Sequence, residues 1–130
     1  MNEQIKKALN IMENAYAPYS NYKVGACIKT RSGRYYTGCN IENAGISSIC
    51  AERVALVKAL SEGETKFESI VIVAKDVNKN DLQFPLPCGY CRQFMSEFVD
   101  DNFKIIIYQN EENQKEYTMK DLLPHCFKLS

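Results

Sequence analysis

The chain has no surplus of charge: sixteen Lys and Arg balance sixteen Asp and Glu over 130 residues. A protein that coats nucleic acid needs a basic excess, which sets that class aside. No global field steers the chain toward an anionic lipid surface either. No apolar run approaches the ~18 residues of a membrane span. The opening MNEQIKKALNIMENAY lacks the continuous apolar stretch of a secretory signal. These absences predict a cytoplasmic protein whose thiols stay reduced. They also demote a disulfide scaffold as the explanation of the six cysteines, at positions 27, 39, 50, 88, 91 and 126. There is one histidine, His125, and there is no internal repeat, low-complexity tract or interdomain linker.

What is present reads as a single domain over 1–130. The hydrophobic fraction of 45% and charged fraction of 25% are ordinary for a globular protein. A chain this long buries roughly two-thirds of the surface it exposes when unfolded. Ile5, Leu9, Met12 and Tyr16 recur at helical spacing, with Asn2 as cap and Pro18 as stop. Tyr22, Val24, Ala26 and Ile28 alternate with Lys23, Gly25, Cys27 and Lys29, a half-buried strand. A turn at 31–34 returns the chain as RYYTGC, its hairpin partner. Positions 40–49 are polar and irregular. A helix is predicted from Cys50 to about Glu62, ended by Gly63. The apolar run at 70–74, after Phe67, predicts a strand buried on both faces. A loop follows at 76–87, then a helix from Cys88 to about Val99 with Phe94, Met95 and Phe98 turned inward. A buried strand is predicted at 103–108, a turn at 111–113, a short edge strand at 114–117 and a capping box from Thr118 to Asp121. The predicted fold class is α/β: three layers, with a mixed sheet of about five strands between helices.

Three thiols stand apart. Cys88 and Cys91 form a C-x-x-C pair at one predicted helix start, and Cys50 begins another. Helix N-termini stabilise thiolates. Two such starts meeting at one sheet edge could gather three sulfur ligands around zinc. The fourth ligand is missing, because His125 lies outside any metal spacing. A closed zinc site is structural and an open one is catalytic. Three thiolates on a dication leave a formal charge of −1. Arg53, with Arg92 in reserve, can offset it. Glu52 stands two residues beyond Cys50, where a carboxylate can handle protons without ligating. By itself it also reads as a first-turn glutamate that merely favours the helix dipole. The pair of thiols alone leaves structural-zinc and thiol-redox readings open.

The segments CAERVA at 50–55 and PCGYCRQ at 87–93 resemble the zinc-dependent cytidine deaminase family. The resemblance extends over nearly the whole chain, through APYS at 17–20, VGA at 24–26, GCNIENA at 38–44 and LLP at 122–124. It implies a cytidine deaminase-like fold and one zinc ion per chain, held by Cys50, Cys88 and Cys91. It implies zinc-activated hydroxide attack on C4 of cytidine or deoxycytidine, with Glu52 as proton shuttle. The products are the uracil nucleoside and ammonia, which places the activity in pyrimidine salvage. Asn40 and Glu42 match the family's ribose-binding pair. A carboxylate there would repel a 5′-phosphate, which favours a free nucleoside. Ala51 and Tyr22 match substrate contacts, Tyr22 standing where phenylalanine is usual. Tyr90 replaces a small residue. The resemblance implies a homotetramer with shared active sites, into which Phe127 would reach from a neighbour. Cys27, Cys39 and Cys126 then read as small apolar side chains. A deaminase of the same scaffold acting on another aminopyrimidine is the rival reading, which Asn40 and Glu42 oppose.

Overall fold

The computed structural model describes residues 2–45 and 48–125. Helix α1 spans Glu3–Met12, and the Asn2 side chain accepts the Ile5 N–H at 2.8 Å as its cap. It is shorter than the periodicity to Tyr16 predicts. The chain leaves the helix because Tyr16 turns to sheet-like pairing: its N–H goes to the Asn40 carbonyl at 3.0 Å, and it bridges Ile41. Tyr16 is consequently exposed, and Pro18 plays no part in the stop.

Strands β1 (Tyr22–Thr30) and β2 (Tyr35–Cys39) form the expected antiparallel hairpin. Helix α2 (Ala51–Ser61) leads to β3 (Phe67–Asp76), and α3 (Gly89–Ser96) to β4 (Lys104–Asn110). Strand β5 (Asn113–Tyr117) and the one-turn α4 (Met119–Leu122) follow. Thr118 and Asp121 form the reciprocal capping box predicted for α4. The sheet is mixed and five-stranded, in the order β2-β1-β3-β4-β5. Only β3 and β4 pair in parallel.

Strand β3 is longer than its apolar run, and it is buried on both faces as predicted. Ile70 and Ile72 face one core, with Ala55, Leu56 and Met95 of the helices. Val71 and Val73 face the other, with Ile5, Ala8 and Met12 of α1. Helix α1 therefore covers one face, and α2, α3 and α4 cover the other: three layers. Cys27 is fully buried against α1, and Cys39 is nearly so. Burial pushes the Cys27 thiol up to about 12, which keeps it protonated and unreactive. Both are buried as the small apolar side chains the sequence suggests; Cys126 lies outside the described residues.

Two glycines set the layer spacing. A Cβ on Gly25 would stand 2.3 Å from the Ala8 carbonyl of α1. On Gly38 it would stand 2.5 Å from both the Ala51 carbonyl and the Ala55 nitrogen of α2. The two lie on opposite faces of one hairpin, so each helix touches the sheet backbone to backbone. This is the structural content of VGA at 24–26 and GC at 38–39.

Helix α3 ends at Ser96, before the predicted Val99. Met95 is fully buried and Phe94 partly so, but Phe98 has left the helix and is exposed. It packs on Phe94, ring centroids 5.2 Å apart, rather than turning into the core. No helix among the described residues is long and apolar enough to cross a membrane.

Candidate metal centre and cleft

Cys50 and Cys88 are the N-cap residues of α2 and α3, so each thiol stands at the positive end of its helix. Cys91 lies in the first turn of α3 and is fully buried. The three Sγ atoms lie within 4.8 Å of one another, and Cys50 Sγ is 3.6 Å from Cys88 Sγ. Thiolates about 2.3 Å from one tetrahedral ion lie about 3.8 Å apart. The donor set fits zinc in number, softness and spacing. Among the described residues no fourth Cys, His, Asp or Glu joins this cluster.

The protonated sulfurs share charge unequally. Hydrogen bonding from Cys91 brings the Cys50 thiol down to about 6 against the cost of its burial, aided by Cys88 and the Arg53 charge. The Cys91 thiol is correspondingly pushed up, first by that same bond and then by burial. Between these two, the bond favours the anion on Cys50 and the proton on Cys91. A dication supplies the charge that lets all three ionise.

Glu52 is in the first turn of α2, yet it is only 5% exposed, so it is not a solvated dipole partner. Burial raises its carboxyl to about 7, with the Cys50 charge adding to the rise. Arg53 sits beside Cys50. Its Nη2 donates to the Ser48 carbonyl at 3.1 Å, and its guanidinium carbon lies 4.4 Å from the Tyr90 ring centroid. Arg92, the reserve charge, is turned elsewhere. Its Nε donates to the Pro87 carbonyl at 2.7 Å and its Nη1 to the Leu122 carbonyl at 2.8 Å. It ties the loop before Cys88 to the end of α4, linking CR at 91–92 to LL at 122–123.

A cleft of about 400 Å³ opens above the thiols. Tyr22, Asn40, Glu42, Ala51 and Glu52 all line it, as do Phe84, Pro85 and Leu86. The structure therefore brings every substrate candidate together except Phe127, which lies outside the described residues. Tyr22 is half-buried, and burial raises its phenol, with the Glu52 charge next. Asn40 is partly committed: its Oδ1 accepts the Val24 N–H at 2.9 Å, and its Nδ2 donates to the Tyr22 carbonyl at 2.8 Å. The amide continues the β1 ladder past the end of β2. One N–H and one lone pair remain for a ligand. Glu42 accepts the backbone N–H groups of Tyr19 and Ser20 and, at 2.5 Å, the Ser20 hydroxyl. These bonds explain APYS at 17–20, which organises the carboxylate.

The contribution of 84–86 was not legible, because a Pro-rich loop has no periodicity to orient its side chains. The same holds for Tyr90, whose partner Arg53 lies on another helix.

The family description "Cytidine and deoxycytidylate deaminase zinc-binding region" matches residues 1–108. The chain belongs to this family. It is 40% identical over 126 residues to a cytidine deaminase of Halalkalibacterium halodurans, covering 95% of this chain and 90% of the relative. It is 38% identical over 125 residues to one of Sporosarcina psychrophila, covering 95% and 88%. The crystal structure of a cytidine deaminase from Burkholderia pseudomallei matches with a TM-score of 0.85 at 36% identity, covering 98% of this chain and all of that one. The fold expected from the resemblance is therefore the fold observed. The family domain is zinc-binding, and Cys50, Cys88 and Cys91 are the cluster placed to hold the ion. The chain is a zinc-dependent hydrolase.

Proposed function

We propose that this chain hydrolyses cytidine and deoxycytidine to uridine and deoxyuridine with release of ammonia, in pyrimidine salvage. The observation that carries the reading is the buried Glu52 carboxylate beside three convergent thiols, on the floor of a cleft with Asn40 and Glu42 in its wall. Cys50, Cys88 and Cys91 hold one zinc ion. Zinc, when bound, is a Lewis acid that makes water a nucleophile at neutral pH.

Glu52 manages the protons. It takes one from the attacking water and delivers it to N3 of the pyrimidine as the new C4–O bond forms, then takes the second from the C4 hydroxyl and delivers it to the departing amine. The C4–N bond breaks, ammonia leaves, and the base becomes a uracil. A carboxyl raised to about 7 by burial can take and return a proton near neutrality. Arg53 offsets the negative charge of three thiolates on a dication. Tyr22 and Ala51 flank the base. The free N–H and lone pair of Asn40, with the remaining acceptor position of Glu42, receive the sugar hydroxyls. An anionic Glu42 disfavours a 5′-phosphate. The proposal takes residues 1–130 as one domain of a cytoplasmic homotetramer with shared sites, Phe127 reaching a neighbour's cleft.

Ultraviolet assay of cytidine conversion beside metal analysis tests the reading. One zinc per chain and turnover of both nucleosides, with cytosine poor, support it. Glu52→Gln should keep zinc while kcat falls by roughly 10²–10⁴-fold, the usual worth of general acid–base catalysis. Zinc-loaded protein that leaves both nucleosides unchanged, or that prefers the free base, overturns the substrate. Near-normal turnover in Glu52→Gln removes Glu52 from its role.

A further inference from the structure

Tyr90 occupies the middle of the C-x-x-C segment and is 65% exposed, so no core burial accounts for its size. Its ring lies against the guanidinium of Arg53, which comes from α2. We propose that Tyr90 is a positioning residue for zinc retention: its ring clamps the Arg53 guanidinium beside the Cys50 sulfur. This rests on the reading of Cys50, Cys88 and Cys91 as ligands.

Arg53 has few other anchors. Its Nη2 reaches the Ser48 carbonyl, while its Nε is buried and makes no hydrogen bond within the protein. The Ser48 carbonyl and the Cys50 sulfur hold the planar group by its edge. The ring, its centroid 4.4 Å from the guanidinium carbon, adds a contact that those bonds do not supply. The attraction is that of a cation for the negative face of the ring. The ring also shields the guanidinium from water, so its charge acts on Cys50 through a less screening medium. A guanidinium held in place keeps the Cys50 sulfur, to which it bonds, beside the other two, and a ligand set held together in this way opposes loss of the ion. The phenol oxygen takes no part in stacking, so a phenylalanine serves equally well.

The test is zinc release from the loaded protein into excess colorimetric chelator, for Tyr90→Leu, Tyr90→Phe, Arg53→Gln and the Tyr90→Leu/Arg53→Gln double variant. Leucine keeps apolar bulk and removes the aromatic face. Tyr90→Leu should release zinc about 2- to 5-fold faster, the span of an exposed cation–π contact. Tyr90→Phe should match the parent, and the double variant should be no faster than Arg53→Gln alone. Parental release from Tyr90→Leu, equal acceleration in Tyr90→Phe, or multiplying effects in the double variant overturns the inference. If the parent holds zinc and deaminates cytidine while the cycle fails, only this inference falls. A parent without zinc removes the proposed function and this inference together.

Discussion

The Ala51 carbonyl of α2 lies 2.5 Å from the place a Cβ on Gly38 would occupy, so the helix that carries Cys50 and Glu52 rests directly on β2. Gly38→Ala must displace that helix, because the opposing atoms are backbone and cannot rotate away. The substitution should cost about 1–3 kcal/mol, as overpacking does. It should also reduce zinc content, since Cys50 moves with its helix. Denaturant unfolding and metal analysis check both; a fully zinc-loaded variant of parental stability would show that the contact relaxes freely.

Asn40 serves strand and cleft together. Asn40→Ala leaves the Val24 N–H and the Tyr22 carbonyl without their side-chain partners. The expected loss is about 1–3 kcal/mol for these partly buried groups. The sugar hydroxyls lose the amide as well, so KM for cytidine should rise more than KM for cytosine. Equal changes for nucleoside and base would confine Asn40 to the strand.

The three thiols differ in surroundings, and their variants should differ too. Cys88 is exposed, whereas Cys91 is fully buried. Cys88→Ser should lose zinc and resemble the metal-free parent in thermal stability. Cys91→Ser puts a hydroxyl into the core and should melt below that metal-free parent. In both, excess chelator should no longer lower the melting temperature, as it does for the zinc-loaded parent. A chelator effect retained by either variant would argue against that ligand.

Glu42 carries a pH signature. The Ser20 hydroxyl, helped by the backbone N–H groups of Ser20 and Tyr19, holds its carboxyl below the usual 4.5 against the opposing effect of burial. A depressed folded value means that the unfolded chain binds the proton more readily. The stabilisation is therefore fully present above about 4.5, and it fades as pH falls through the lower folded value. The stability difference between the parent and Glu42→Gln should be largest at neutral pH and shrink in acid. A difference independent of pH would mean that the bonds from Tyr19 and Ser20 do not depend on the charge.

Much of this was local enough to read along the chain. Helices α2 and α3 were legible in their own segments, with Cys50 and Cys88 at their starts. The strand buried on both faces was visible as an uninterrupted apolar run. The misreadings share a cause: Tyr16 continued a helical spacing but was taken by Asn40 and Ile41, and Phe98 fell past the last turn of α3. Helical spacing alone does not register such competitors.

The order of residues by itself determined the chemistry on offer: three sulfurs at two helix starts, a carboxyl two places beyond the first, and no fourth ligand of similar spacing. Tertiary structure alone decided how that chemistry is held. Sheet register put the Asn40 amide on β1, packing of the layers buried Glu52, Arg92 went to two carbonyls, and Tyr90 met Arg53. Each of these joins groups from different elements, and their distance depends on how the layers pack rather than on spacing along the chain.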